Sequence, residues 1–143
     1  MDVSDLRRRI LRALDDARSE AATRRTEVDA ARSAYDRFLE AVAVPLLRQA
    51  QGILKAERQM FTVHAPAGSA KLISDASPQT FVEFSLDTSG PHPQIIGRLS
   101  LARGGKRVTV EERPIAAGKP VAELGDDDVA GFLVTEIPKL VQK

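Results

Sequence analysis

A chain of 143 residues, 43% hydrophobic and 29% charged, has the length and balance of one folded domain, or of one small domain plus an extended element. Its net charge is +1 and no asymmetry hides in either part: residues 1–60 carry 12 Lys and Arg against 10 Asp and Glu, residues 61–143 carry 9 against 10. That balance argues against a surface devoted to phosphate contacts, and the absence of cysteine excludes disulfides and thiolate metal sites.

The N-terminus, MDVSDLRRRILRALDD, lacks the apolar core of a signal peptide, and the longest wholly apolar run is residues 41–47, far short of the roughly 20 residues of a membrane span. A cytoplasmic protein with no membrane association is expected. Arg outnumbers Lys 15 to 6 beside many Ala, a composition that points to a bacterial gene of high GC content.

Residues 3–44 hold no Gly and are dominated by Ala, Arg, Leu and Glu, the strong helix formers. Ser4 or Asp2 can cap the start. A continuous helix of this length runs roughly 63 Å at 1.5 Å per residue, about twice the width of a globule formed by the remaining chain, so part of it requires some other cover. A heptad frame places Leu14, Ala21, Val28, Tyr35 and Val42 at a, and Val3, Ile10, Ala17, Ala31 and Phe38 at d; Arg7 and Arg24 interrupt the two rows. This is the seam of a coiled coil. Glu20 and Glu27 fall at g, with Arg25 and Arg32 at e five residues later, the g-to-e′ acid–base pairs of a parallel dimer. Ile10, Leu14, Val28, Tyr35, Phe38 and Val42, with Glu20, Arg25, Glu27 and Arg32, are therefore the expected oligomer interface, toward a second copy or a partner protein helix. The competing reading is a helical hairpin inside one chain, restarted by Thr26 as N-cap with Asp29 at N3.

Pro45 is expected to kink or end this helix, because it lacks the N–H for residue 41. The chain then divides into residues 1–44, the long helix, and residues 45–143, a globular α+β domain. A second helical segment follows, with Leu46, Ala50, Ile53 and Leu54 on one face. From Phe61 the hydrophobic period becomes two: MFTVHA, TFVEFSLD, QIIGRLSLAR and KRVTVEER read as about four strands of an antiparallel meander. Inward positions are Phe61, Val63, Val82, Phe84, Leu86, Ile95, Leu99, Leu101, Val108 and Val110. Gly104–Gly105 reads as a two-residue hairpin turn, and GKPVAEL as a short edge strand. The closing DDDVAGFLVTEIPKLVQK reads as an amphipathic helix on the sheet, capped by Asp126 and striped by Val129, Phe132, Leu133, Ile137, Leu140 and Val141.

Chemistry is sparse. His64 lies beside Thr62 on the polar side of a strand and His92 between two prolines, neither with an acid at ligand spacing. APAGSAK lacks the second glycine and following Ser or Thr of a phosphate loop, so a turn between strands explains it. Glu111 and Glu112 point to opposite faces of a strand. No catalytic, metal or cofactor site is expected, and no small-molecule substrate. The one cationic cluster is Arg7, Arg8, Arg9 and Arg12, an alternative nucleic-acid contact partly neutralised by Asp5 and Asp16 four residues away. The element order is similar to that of small bacterial nucleoid-associated proteins of the YbaB type, without a shared motif and with a longer first helix. The expected function is a non-enzymatic, self-associating interaction module, with a dimeric nucleic-acid-binding protein as the alternative.

Overall fold

The computed structural model describes residues 1–103 and 107–141. It is an α+β fold: a long N-terminal helix, a five-stranded antiparallel sheet and a C-terminal helix. Helix α1 (Val3–Phe38) continues through a π turn (Leu39–Ala43) into α2 (Val44–Ala56). Asp2 caps it, its carboxylate accepting the Ser4 N–H at 3.3 Å. Thr26 does not restart a helix. Its hydroxyl donates back to the Ala22 carbonyl at 3.0 Å inside an unbroken α1, so the hairpin is ruled out.

Pro45 neither ends nor breaks the helix. The Val44 N–H reaches back five residues to the Leu39 carbonyl, and the widened turn makes room for a ring that would clash with a regular one. The buried stripe therefore runs on through Ala43, Leu47, Ala50 and Leu54. Leu46 is only half-buried and Ile53 is 67% exposed, so the inward face after the π turn differs from the one the sequence suggested. Helix α2 closes with two reciprocal bonds, Gln59 N–H to Leu54 carbonyl (2.8 Å) and Arg58 N–H to Lys55 carbonyl (3.0 Å), which force Arg58 to φ +63°.

The sheet is a meander in the order β1 (Phe61–His64), β2 (Ala70–Ser74), β3 (Phe81–Asp87), β4 (Gln94–Arg103), β5 (Arg107–Pro114). The expected count was about four; β2 is the added strand, and APAGSAK supplies the turn before it. Gly104–Gly105 lies outside the described residues. The inner face pairs Leu72 with Val82, Val82 with Leu99, and Phe84 with Gly97. All three helices pack on this face. Four rings cross the core in sequence: Tyr35–Phe38 (6.5 Å between centroids), Phe38–Phe84 (6.4 Å) and Phe84–Phe132 (5.7 Å).

Strand β5 reverses one expectation. Val110 pairs with Ser100 and Val108 with Ala102, which places both valines on the outer face, 46% and 42% exposed. Its inner-face residues are Thr109, Glu111 and Arg113, opposite Leu101, Leu99 and Gly97. GKPVAEL forms a single 3-10 turn (Val121–Glu123) rather than a strand. Helix α3 spans Asp126–Leu140, and its N-cap is Gly125, not Asp126. Asp128, one turn in, accepts the Gly125 N–H at 2.9 Å and the Lys119 ammonium at 2.8 Å, which hold its carboxyl below the usual range. Its stripe buries Val129, Phe132, Leu133 and Leu140, with Ile137 and Val141 packed alongside.

Candidate interaction site

Alanine and long charged side chains let a helix persist without tertiary cover, and that is what the first 20-odd residues do. From Val3 to Thr23 every residue is exposed except Asp5, which is partly so. The polar contacts within this stretch are local: the Asp2 cap, an Arg8–Asp5 ion pair and an Arg18–Asp15 pair at 3.7 Å, both pairs well solvated. Attachment to the body begins at Arg24, whose guanidinium donates to the carbonyls of Gly90 (3.1 Å) and Thr88 (3.4 Å) in the β3–β4 loop. Residues 3–23 thus form an arm about 30 Å long.

The arm is amphipathic. Val3 is 79% exposed, Ile10 50%, and Leu6, Leu11 and Leu14 nearly as open. Val3, Leu6, Ile10, Leu14, Ala17 and Ala21 follow one another at three- and four-residue steps, one face of the helix. Arg8, Arg9 and Arg12 lie on the opposite side. The same a and d rows that are bare in the arm enter the core further along: Ala31, Tyr35 and Phe38 are buried, and Val28 and Val42 are half-buried.

The expected interface is therefore split in two. Ile10 and Leu14 stand open on the arm, and Glu20 is exposed further along it. Tyr35 and Phe38 belong to the interior of their own chain and are closed to any partner: Tyr35 donates its hydroxyl to the Gly68 carbonyl at 2.7 Å, with the Phe84 carbonyl at 3.2 Å. Burial, then the nearby charges of Glu83 and Asp36, hold the Tyr35 hydroxyl well above its ordinary range. Glu27 lies 3.9 Å from His92, and Arg25 and Arg32 flank the groove where the arm meets Thr88. Burial is the property heptad spacing does not carry, since it marks a continuous face without saying what covers each part of it.

Two further features lie on the body. A cleft of about 560 Å³ separates α1 from the 3-10 turn, lined by Ala31 and Ala34, by Glu27 and His92, and by Lys119 and Val121. At 3.9 Å the Glu27–His92 pair is past hydrogen-bond reach, and the Lys119 ammonium is held by Asp128. On the inner face of β5, Glu136 (4% exposed) accepts from Arg113 at 2.9 Å and from Lys139 at 3.1 Å; Lys139 also reaches Glu111 at 3.3 Å. Burial raises the Glu136 carboxyl, but the bonds from Lys139 and Arg113 outweigh it and the net shift is downward. The Arg113 guanidinium lies 4.5 Å over the Phe132 ring. The Glu136 carboxylate holds both cations, and the cluster ties α3 to the sheet.

Among the described residues no group of three His, Asp or Glu side chains is close enough to hold a metal ion, and no helix is long and apolar enough to cross a membrane. No family model, curated protein or solved structure matches this chain, so the likeness in element order to nucleoid-associated proteins has no counterpart in these comparisons.

Proposed function

We propose that the protein is a non-enzymatic interaction module that associates through its N-terminal arm, with a second copy of itself or with a partner helix. The observation that carries this reading is the arm's apolar face: Val3, Leu6, Ile10, Leu11 and Leu14 in open solvent on a helix whose own body begins only at Arg24. Covering the exposed half of each such side chain contributes on the order of 1 kcal/mol, so pairing several of them offsets the cost of association where an isolated arm gains nothing. A body that positions the arm rigidly, by running the same helix into its core, lowers the entropy lost on pairing.

The test is solution mass by light scattering. The intact chain is expected near twice 15.5 kDa. The Ile10→Lys, Leu14→Lys double variant is expected at 15.5 kDa with unchanged thermal stability of the body. Both positions are solvent-exposed, unlike Tyr35, where a lysine would unfold the core. An intact chain that stays monomeric at tens of micromolar would refute self-association and leave a foreign helix as the partner.

The second reading is nucleic-acid binding through the arm's arginines. Arg7, Arg9 and Arg12 make no ion pair among the described residues, while Arg8 is paired with Asp5. It requires an affinity that falls steeply with salt and is lost in Arg8→Glu, Arg12→Glu. Salt-independent or absent binding to duplex DNA and to RNA would remove it.

A further inference from the structure

We propose that the arm pairs with the arm of a second copy running in the opposite direction, residues 3–21 of one against residues 21–3 of the other. This rests on the reading that the arm self-associates, and it sets the orientation and register of that association.

Occupancy is the first argument. Beyond Thr23, the a and d positions are Arg24, Val28, Ala31, Tyr35 and Phe38, and these turn toward the chain's own body, starting with the Arg24 bonds to Thr88 and Gly90. A parallel partner following the same face would run into that β3–β4 loop. By symmetry both bodies would stand on the facing sides of two helices packed only about 8–10 Å apart. In the antiparallel pair the bodies lie at opposite ends and the overlap stops at Ala21, one turn before the obstruction.

Charge is the second. An in-register parallel seam places Arg7 against Arg7, like charges at a position that favours apolar side chains, while Arg24 is already turned to its own Thr88 and Gly90 carbonyls. In the antiparallel register Arg7 faces Ala17 of the second copy with that copy's Glu20 a turn away, and Arg24 falls outside the overlap. The acidic tip, with Asp2, comes toward Arg24 and Arg25 at the base of the other arm. Glu27 keeps its own His92.

Size is the third. The large side chains, Val3, Leu6, Ile10, Leu11 and Leu14, run from the tip to just past the middle of the arm, and Ala17 and Ala21 lie toward the body. The antiparallel register packs Val3 on Ala21 at each end and Ile10 on Leu14 at the centre, so the two ends of the pair are equivalent and neither is packed by alanines alone. The parallel register stacks large on large at the tip and small on small near the body. Leu11, displaced to one side of the seam, meets Leu11 of the second copy across the two-fold axis near residue 12, which gives an otherwise stranded apolar residue a partner.

The chain has no cysteine, so single spin labels can be placed cleanly. Ser4→Cys and Asp16→Cys, each labelled with a nitroxide, would be measured by double electron–electron resonance alongside light scattering. An antiparallel pair centred near residue 12 separates the two Ser4 positions by about 24 Å along the axis and the two Asp16 positions by about 12 Å, at 1.5 Å per residue. A dimer with the Ser4 distance clearly longer than the Asp16 distance is the expected result. A dimer in which both sites give the same short distance is parallel, and it overturns the orientation while leaving self-association intact. A dimer that survives Ile10→Lys, Leu14→Lys associates elsewhere and overturns both, as does a monomer.

Discussion

Gly97 lies in the middle of β4, where the Phe132 ring of α3 rests directly on its backbone. A Cβ built there would stand 2.2, 2.6 and 2.8 Å from three atoms of that ring. Replacing a strand glycine with alanine ordinarily helps slightly, because alanine loses less backbone entropy on folding. Here the sign reverses. The ring must move out by more than 1 Å, which strains or lifts α3 at about 1–3 kcal/mol. Moving it also weakens its edge contact with Phe84 at 5.7 Å and the Arg113 guanidinium at 4.5 Å, together about 1 kcal/mol. Gly97→Ala is therefore expected to cost about 3 kcal/mol and to lower Tm by about 10 °C in a chain of this size. Thermal melts followed by far-ultraviolet circular dichroism, with urea unfolding for the free energy, would measure it. Phe132→Leu in the same chain should recover part of the loss, so the double variant costs less than the sum of the singles by at least about 1 kcal/mol. Wild-type stability of Gly97→Ala, or strict additivity in the cycle, would refute the close approach on which the docking of α3 depends.

Glu136→Gln removes the carboxylate shared by Arg113 and Lys139 and should cost about 1–3 kcal/mol in urea titration, moderated because both cations reach solvent. Because the folded carboxyl is depressed, its contribution is full above the ordinary carboxylate range and is lost as pH falls through the depressed value. Wild type should lose stability in acid more steeply than Glu136→Gln. Tyr35 is the only tyrosine and the chain has no tryptophan, so phenolate absorbance near 295 nm reports it alone. Its raised value means stability is full below the ordinary tyrosine range and falls as pH climbs above it; the phenolate signal should appear together with loss of helix, and ionisation in a still-folded chain would contradict the burial. Arg58→Gly relieves the left-handed backbone after α2 and should raise Tm by about 2–4 °C; an unchanged or lower Tm would show that the arginine side chain contributes more than its strained backbone costs.

Much of the architecture is local in origin and was legible in the residues. A glycine-free run of Ala, Leu, Arg and Glu marks a helix whatever surrounds it, and Phe61, Val82, Phe84, Ile95 and Leu99 alternate as strands of a half-wet sheet. The Val129–Leu140 stripe likewise announces a helix that lies on something apolar. The errors share one cause. Val108 and Val110 alternate as well as any strand pair, yet alternation has no sign: pairing with Ser100 and Ala102 turned them outward, and a buried Glu136 with its two cations took the inner face instead. Pro45 obeyed the backbone rule only by way of a π turn. The heptad rows from Val3 to Val42 are one uninterrupted face in the sequence, but only the tertiary structure assigns Tyr35 and Phe38 to the core and leaves Ile10 and Leu14 bare. Periodicity records which residues share a face; what covers that face depends on groups far away in the chain, such as the Thr88 and Gly90 carbonyls that anchor Arg24, and those distances are set only when the whole chain has folded.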